Sequence, residues 1–248
     1  MDASRATLVD VRSVNLEDVA DLREAYRAEA DGQIVHYSIL ARKLGQPYLV
    51  VCDGDPAAYG GVWTEHFPGR VMEFWAHRRF RDARRELFAH FVQRSGATEI
   101  EAQTNMPGML ELLCAAGTGS TEEKILFRDG GPSAVTCAGA IFRRRRTGEE
   151  GPEGEWVVEL EGKVAGGGGI LTHYNPPYAD LYMAVVPESR RRGVGSYLVQ
   201  ELRRVCRERG LTPAARCNPD NLASWRALER GHMVECGRLL AARLDIIP

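Results

Sequence analysis

The chain has 248 residues and a formal net charge of -2, from 32 Lys and Arg against 34 Asp and Glu. That balance offers no global basic field for nucleic acid or an anionic membrane, no apolar run approaches the roughly 20 residues of a membrane span, and the length suffices for one large domain or two small ones. Six cysteines (Cys52, Cys114, Cys137, Cys206, Cys217, Cys236) form no CxxC pair and six histidines form no HExxH, so the expectation is reduced, mostly buried thiols in a cytoplasmic protein with no signal peptide and no metal.

VRSVNLEDVADLREAY predicts a strand and then a helix, with Asn15 as N-cap, Asp18 three residues on, and Leu16, Val19, Leu22 and Tyr26 as an apolar stripe. PYLVVCDGDPAAYGGVW is a hairpin turning at Asp53-Gly54-Asp55. VMEFWAHRRFRDARRELFAHFV is a strand and a helix, with Phe80, the stem of Arg84, Leu87, Phe88 and Phe91 on one side. IEAQTNMPGMLELLCAAG reads as strand, turn and short helix. Gly130-Gly131-Pro132 is the expected linker.

A strand is expected near Val135 to Phe142, then RRRRTGEEGPEGE, a loop in which Arg143 to Arg146 precede acidic residues. A solvated loop is the simplest reading of that run, and binding of a phosphate or an acidic substrate is the other. WVVELEGKVAGGGGIL, from Trp156 to Leu171, is a hairpin turning at Glu161-Gly162-Lys163. Its four glycines, 166 to 169, mark either a bulge or weak edge, or a place where a ligand or another backbone comes close.

Ala179 to Val186 is apolar and β-prone, and Pro187 ends it. In VGSYLVQELRRVCRERG, Val194, Leu198, Leu202 and Val205 recur at helical spacing and Gly210 is a stop. PESRRRGVGS therefore lies between a strand and a helix. Helix N-termini carry unpaired N–H groups and the positive dipole end, glycines admit a ligand to the backbone, and arginines add bidentate donors. The pattern predicts a phosphate or pyrophosphate site. It is not a P-loop, since GxxxxGK followed by Ser or Thr is absent, and Leu198 stands where a dinucleotide fingerprint needs its third glycine.

Arg190-x-x-Gly193-x-Gly195, preceded by Val185-Val186-Pro187, resembles the acyl-CoA pyrophosphate loop of the GNAT superfamily of N-acyltransferases. RCNPDNLASWRALERGHM follows at the expected distance, and its Asn218, Asn221 and Ser224 resemble the family's strand-to-helix segment. Asn221 also reads as the N-cap of a helix bearing Leu222, Trp225 and Leu228. The resemblance is clearest over about residues 134 to 248, and the order of elements in the first half repeats the same plan. RRFRDARREL has no glycine where the second half has two.

The resemblance therefore implies an α+β chain of two GNAT-like halves, each a mixed, mostly antiparallel twisted sheet flanked by helices. Residues 1 to 130 form a degenerate half and residues 131 to 248 the acyl-CoA-binding half. Only about a dozen residues stand where a GNAT domain usually has its first two helices, so the first half is expected to wall the acceptor site. One acetyl-CoA per chain is expected as cosubstrate, held by Ala184, Val185, Val186, Arg190, Arg191, Arg192, Gly193, Val194, Gly195, Ser196, Asn218, Asn221, Ser224 and Trp225. The acceptor is an amine-bearing small molecule or peptide, and neither nucleic acid nor a membrane is an expected partner.

For the chemistry, the resemblance offers the Val185 backbone N–H as oxyanion donor. Leu228 stands where many members have a tyrosine acid, and the usual Gly-Phe is His232-Met233, so that acid is not carried over. Candidates for catalysis are Val185, Ser224, His173 and Tyr182. Asp180, Glu159, His36 and Tyr37 are further possibilities, and Cys217, with no evident His partner, is not read as a nucleophile. The missing tyrosine leaves a second reading open, a catalytically silent CoA-binding sensor or scaffold.

Overall fold

The computed structural model describes residues 8–30 and 32–245. In chain order these form β1 (Val9–Ser13), α1 (Ala20–Ala28), β2 (Gly45–Cys52), β3 (Asp55–Trp63), β4 (Arg70–Ala76), α2 (Arg84–Ser95), β5 (Glu99–Gln103), α3 (Pro107–Ala116), β6 (Gly117–Asp129), β7 (Ala140–Arg144), β8 (Trp156–Leu160), β9 (Lys163–Asn175), β10 (Tyr178–Val185), α4 (Val194–Glu208), β11 (Thr212–Cys217), α5 (Leu222–Arg230) and β12 (Met233–Leu244). The fold is α+β, in two units. The chain passes between them inside β6, at Glu122/Glu123, and inside β12, at Arg238/Leu239.

In the first unit the strand order is β1-β2-β3-β4-β5-β12. Asn15 and Asp18 form the capping box that starts the α1 segment. Asp53 and Gly54 turn the β2–β3 hairpin with φ of 50° and 91°. Phe88 and Phe91 of α2 pack on Phe74, with ring centroids 5.1 and 5.3 Å away. The other sheet face carries buried charge: the Arg23 Nε donates to Glu73 at 2.9 Å, and Tyr59 donates to the same carboxylate at 3.1 Å. β4 and β5 are parallel neighbours.

In the second unit the order is β6-β11-β10-β9-β8-β7, again with one parallel pair, β10–β11. The apolar stripe of α4 is buried as its spacing requires: Val194, Leu198, Val199, Leu202 and Cys206 join Ala165, Ala179 and Leu181 in one core. Each of the valines and leucines contributes about 1.5–3 kcal/mol by leaving water. A Cβ at Gly168 would stand only 3.2 Å from Leu202, so the glycine lets α4 lie close to the sheet.

The Gly130-Gly131-Pro132 stretch is tied into this unit. The fully buried Arg203 of α4 binds Asp129, Ser133 Oγ at 2.9 Å and the carbonyls of Gly131 and Gly231. The strand expected near Val135 begins at Ala140. Val135 spends its N–H and C=O on the Gln200 side chain instead of on a strand.

Candidate functional site

β10 and β11 run parallel but pair only at Tyr178↔Thr212, Ala179↔Pro213 and Asp180↔Ala214. Beyond Asp180 they part. β10 continues to Val185 on β9 alone, and β11 continues to Cys217 on β6. The register with β9 and the Val186 N–H to Ala165 C=O bond at 3.0 Å make 186, 184 and 182 the residues bonded to β9. Leu181, Met183 and Val185 then present their N–H and C=O groups to the open fork.

The two faces of β10 differ. Leu181, Met183 and Val185 pack with the α4 core. Asp180, Tyr182 and Ala184 share the other face, where Tyr182 and Ala184 are exposed. The four glycines of β9 serve both faces as backbone approaches, and the register with β8 shifts beside them, between Val158↔Gly166 and Glu159↔Val164. Gly166 and Gly168 receive Val194 and Leu202, a side chain at Gly167 would meet the Pro152 carbonyl, and the Tyr182 ring lies over Gly169. The loop after β7 is closed by its own charges: Arg143 binds Glu149 and Glu159, and Arg145 donates to the carbonyls of Glu149, Pro152 and Gly154.

After β10 the chain makes one turn, in which Ser189 N–H binds Val186 C=O at 3.0 Å and Arg190 N–H binds Pro187 C=O at 3.2 Å. Arg191 and Gly193 then take positive φ, 61° and 87°. The next backbone donor to find a carbonyl is Tyr197, on Gly193 at 3.0 Å. The N–H groups of Arg191 to Ser196 bind no backbone carbonyl among the described residues, and Gly193 caps α4 without a side chain. Six donors thus surround a 15-residue helix's positive end. Arg190 Nε lies 3.4 Å from the Val185 carbonyl and Arg192 binds Glu161, whereas Arg191 has no ion pair among the described residues.

At the other side of the fork, Asn221 caps α5 by accepting the Ser224 N–H at 3.1 Å. Ala227 packs on Gly195, where a Cβ would lie 3.4 Å away, so the same glycine also sets the approach of α5 to α4. Trp225 is half-buried with its Nε1–H unpaired among the described residues. Asn218 Oδ1 accepts a hydrogen bond from Lys124 of β6 at 2.5 Å. Lys124 was not singled out in the sequence; only the register Cys217↔Ile125 brings it opposite Asn218.

Of the catalytic candidates, Val185 supplies an N–H at the fork, and Tyr182 stands on the exposed face. His173 is exposed, its ring against Tyr174, and its charge acts on Asp180. Ser224 belongs to the α5 cap, and no hydrogen bond joins it to His173 or Tyr182 among the described residues. Glu159 is engaged by Arg143 at 2.9 Å. His36 and Tyr37 pack inside the first unit, against Trp63 and beneath Arg23. Burial pushes the Cys217 thiol up, which disfavours a thiolate.

Residues 126–232 match the model of the acetyltransferase (GNAT) family. No curated protein matches the chain. Among solved structures, an acetyltransferase of the GNAT family from Colwellia psychrerythraea superposes with a TM-score of 0.74 at 13% identity, over 95% of this chain and 100% of that one. A GCN5-related N-acetyltransferase from Sphaerobacter thermophilus gives 0.61 at 16% identity, over 97% and 96%. A tandem GNAT protein from the clavulanic acid biosynthesis pathway gives 0.58 at 14% identity, over 95% and 98%. Fork, donor-rich loop and family match coincide in the second unit: residues 126–232 match the GNAT acetyltransferase family, and the chain is similar in fold to GNAT structures over 95% of its length.

Proposed function

We propose that the chain is an N-acetyltransferase that moves the acetyl group of acetyl-CoA directly to a primary amine, with one acetyl-CoA site, in the second unit. The observation that carries this reading is the run of unbonded N–H groups from Arg191 to Ser196 at the end of an unpaired strand edge. A pyrophosphate fits the first feature, because it accepts several N–H bonds at a helix N-terminus. A pantetheine arm fits the second, because its two amides can pair with the Met183 and Val185 backbone as a short extra strand.

The residues then divide the work. Gly193, Val194, Gly195 and Ser196 hold the pyrophosphate through their backbone, and Arg190, Arg191 and Arg192 add charge. Ala184 and Val186 hold β10 on β9, which leaves Val185 free to donate to the thioester oxygen as it gains charge. Asn218, Asn221, Ser224 and Trp225 border the cofactor from the β11 and α5 side. Calorimetric titration with acetyl-CoA, beside ATP, tests binding; a thiol-release assay over a panel of primary amines tests transfer. Saturable binding at one site with weak ATP binding, and amine-dependent thiol release, are expected. Absence of acetyl-CoA binding refutes the reading.

A further inference from the structure

The face of the second unit's sheet away from α4 carries two cations with donors to spare. Helix α4 closes the other face, so an acceptor reaches the fork from this one, where Tyr182 and Ala184 are exposed. Cys217 and Ile125 point into the α4 core, and strand alternation turns Arg216, Asn218 and Lys124 to the open side. The parallel register Asp180↔Ala214 sets Arg216 level with Tyr182 and Asn218 level with Ala184, across the fork. Lys124 stands opposite Asn218, on β6. Asn218 and Lys124 therefore lie at the end of the fork where Val185 offers its N–H, with Arg216 one step further in.

Neither cation is spent. Arg216 lies 3.4 Å from Asp180 Oδ2 with its side chain 21% exposed, yet none of its five N–H groups makes a hydrogen bond among the described residues. The Tyr174 ring, 5.4 Å from the guanidinium carbon, holds that group in place. Lys124 donates to the neutral amide of Asn218 and has no carboxylate partner among the described residues. An ammonium has three donors, so two are left. Glu235, whose charge acts on Cys217 as that of Lys124 does, is bound by Arg238 at 2.9 Å. Against the two cations stands the Asp180 carboxylate, which leaves one net positive charge. His173 adds another only when it is protonated.

We infer that the acceptor is an amine that carries its own carboxylate, an amino acid, and that Arg216 and Lys124 hold this carboxylate while the amine faces the thioester at Val185. This deepens the acetyltransferase reading above and rests on it. A guanidinium offers a carboxylate two parallel N–H bonds, and an ammonium adds a compact point charge. With a pantetheine arm in the place of one strand, β10 and β11 stand about 10 Å apart, twice the usual strand spacing. The long side chains of Arg216 and Lys124 cross part of that gap and leave room for a small amino acid between them and Val185. One net positive charge matches a carboxylate, whereas a phosphate dianion would need a second.

The test measures thiol release from acetyl-CoA with a panel of amino acids, each beside its carboxamide. Alkyl diamines, an aminosugar and phosphoethanolamine are further arms. The best acid should exceed its own amide in kcat/KM about 10- to 100-fold, the range for losing hydrogen bonds to a charged group, with most of the difference in KM. The amine of the amide is the less basic of the two, so basicity alone predicts the opposite order near neutral pH. Lys124→Met should raise KM for the acid about 10-fold and leave both the amide's constants and acetyl-CoA affinity unchanged. Arg216→Lys keeps a charge beside Asp180, so the buried carboxylate is not stranded, and it should likewise penalise the acid alone. A carboxamide, diamine, aminosugar or phosphoethanolamine used as well as the best acid would overturn the proposal while the acetyltransferase reading stands. So would a Lys124→Met chain that loses equally on acid and amide, or that binds acetyl-CoA more weakly, since Lys124 would then act through Asn218 on the cofactor. If the unaltered chain releases thiol with no amine in the panel, this proposal falls together with the reading it rests on, and acetyl-CoA titration then shows whether binding survives.

Discussion

In the first unit β4 and β5 pair at Arg70↔Glu99 and Val71↔Ile100 and then part; in the second β10 and β11 pair from Tyr178 to Asp180 and then part. Both forks lead into an arginine-rich segment and a helix. The segments differ in how their N–H groups are used. In the first unit Arg79 N–H is taken by His77 Nδ1, and those of Phe80, Arg81, Ala83 and Arg84 by carbonyls three residues back. Arg79 and Arg81 pair with Asp55 and Glu29, and Arg84 and Arg85 with Glu111. No residue from Arg78 to Arg84 has positive φ. Behind that fork, Gln103 and Asn105 of the β5 end hold the Gln33 carbonyl at 2.9 and 3.1 Å. A parallel pair that diverges is thus a property of the sheet, whereas a pyrophosphate site also needs donors and cations that the protein leaves unspent.

The largest effects should come from the charge each unit buries. Asp129→Asn leaves Arg203, whose side chain is 0% exposed, without its counter-charge. A loss of about 3–5 kcal/mol is expected in urea unfolding. Glu73→Gln should cost the first unit a similar amount through Arg23, at 2.9 Å. Asp129 also gives a pH test. Burial disfavours its charge, but hydrogen bonds from Arg207 and Arg203 more than offset this and lower its pKa. Its stabilisation is therefore present above the unfolded value near 3.9 and is lost as pH falls through the lower folded value. The Asp129→Asn chain should lose less stability over that acid range than the unaltered chain. Equal acid sensitivity in both would refute the assignment.

Gly193→Val addresses the loop directly. At φ 87° a β-branched residue is strained by about 1–2 kcal/mol, while the nearest side-chain atom, Cys137 Sγ, is 4.0 Å from where a Cβ would stand. The cost is therefore conformational, and it falls on the N–H groups that would meet the ligand. Acetyl-CoA affinity should drop about 100-fold, equivalent to about 2.7 kcal/mol, with cooperative unfolding retained. Titration of the unaltered chain should give one site, and two sites would mean that the spent donors of the first loop rearrange to bind.

Much of this was legible because it is local. The Asn15 and Asn221 caps, the turns at Asp53-Gly54 and Glu161-Gly162 and the α4 stripe each depend on residues a few positions apart. The turn at Gly193 before helix α4 is local in the same way. What was not legible depends on register between distant strands. Residues Leu239 to Arg243 pair with β5, over a hundred positions earlier, in the other unit from the start of their own strand. Lys124 meets Asn218, and Asp180 meets Arg216, only because β6, β11 and β10 are neighbours. The Arg143 to Arg146 run read as a solvated face, yet Arg143 and Arg145 are spent on closing their own loop. Val135 misled for a related reason: a β-branched residue can satisfy its backbone on one glutamine side chain instead of a strand.

The smallest effect concerns single arginines. Arg191 lacks an ion pair among the described residues, so Arg191→Ala leaves no charge stranded and should not shift the melting temperature measurably. It should weaken acetyl-CoA binding about 5-fold, the scale of one exposed charge contact of about 1 kcal/mol. The loss should shrink as salt is raised, because an exposed contact is screened. Arg81→Ala in the first unit removes an exposed pair with Glu29 and should leave acetyl-CoA affinity unchanged at every salt concentration. Equal losses from the two substitutions would mean that net positive charge, and not the unspent donors beside Gly193, draws the ligand, and the contrast between the loops would lose its functional meaning.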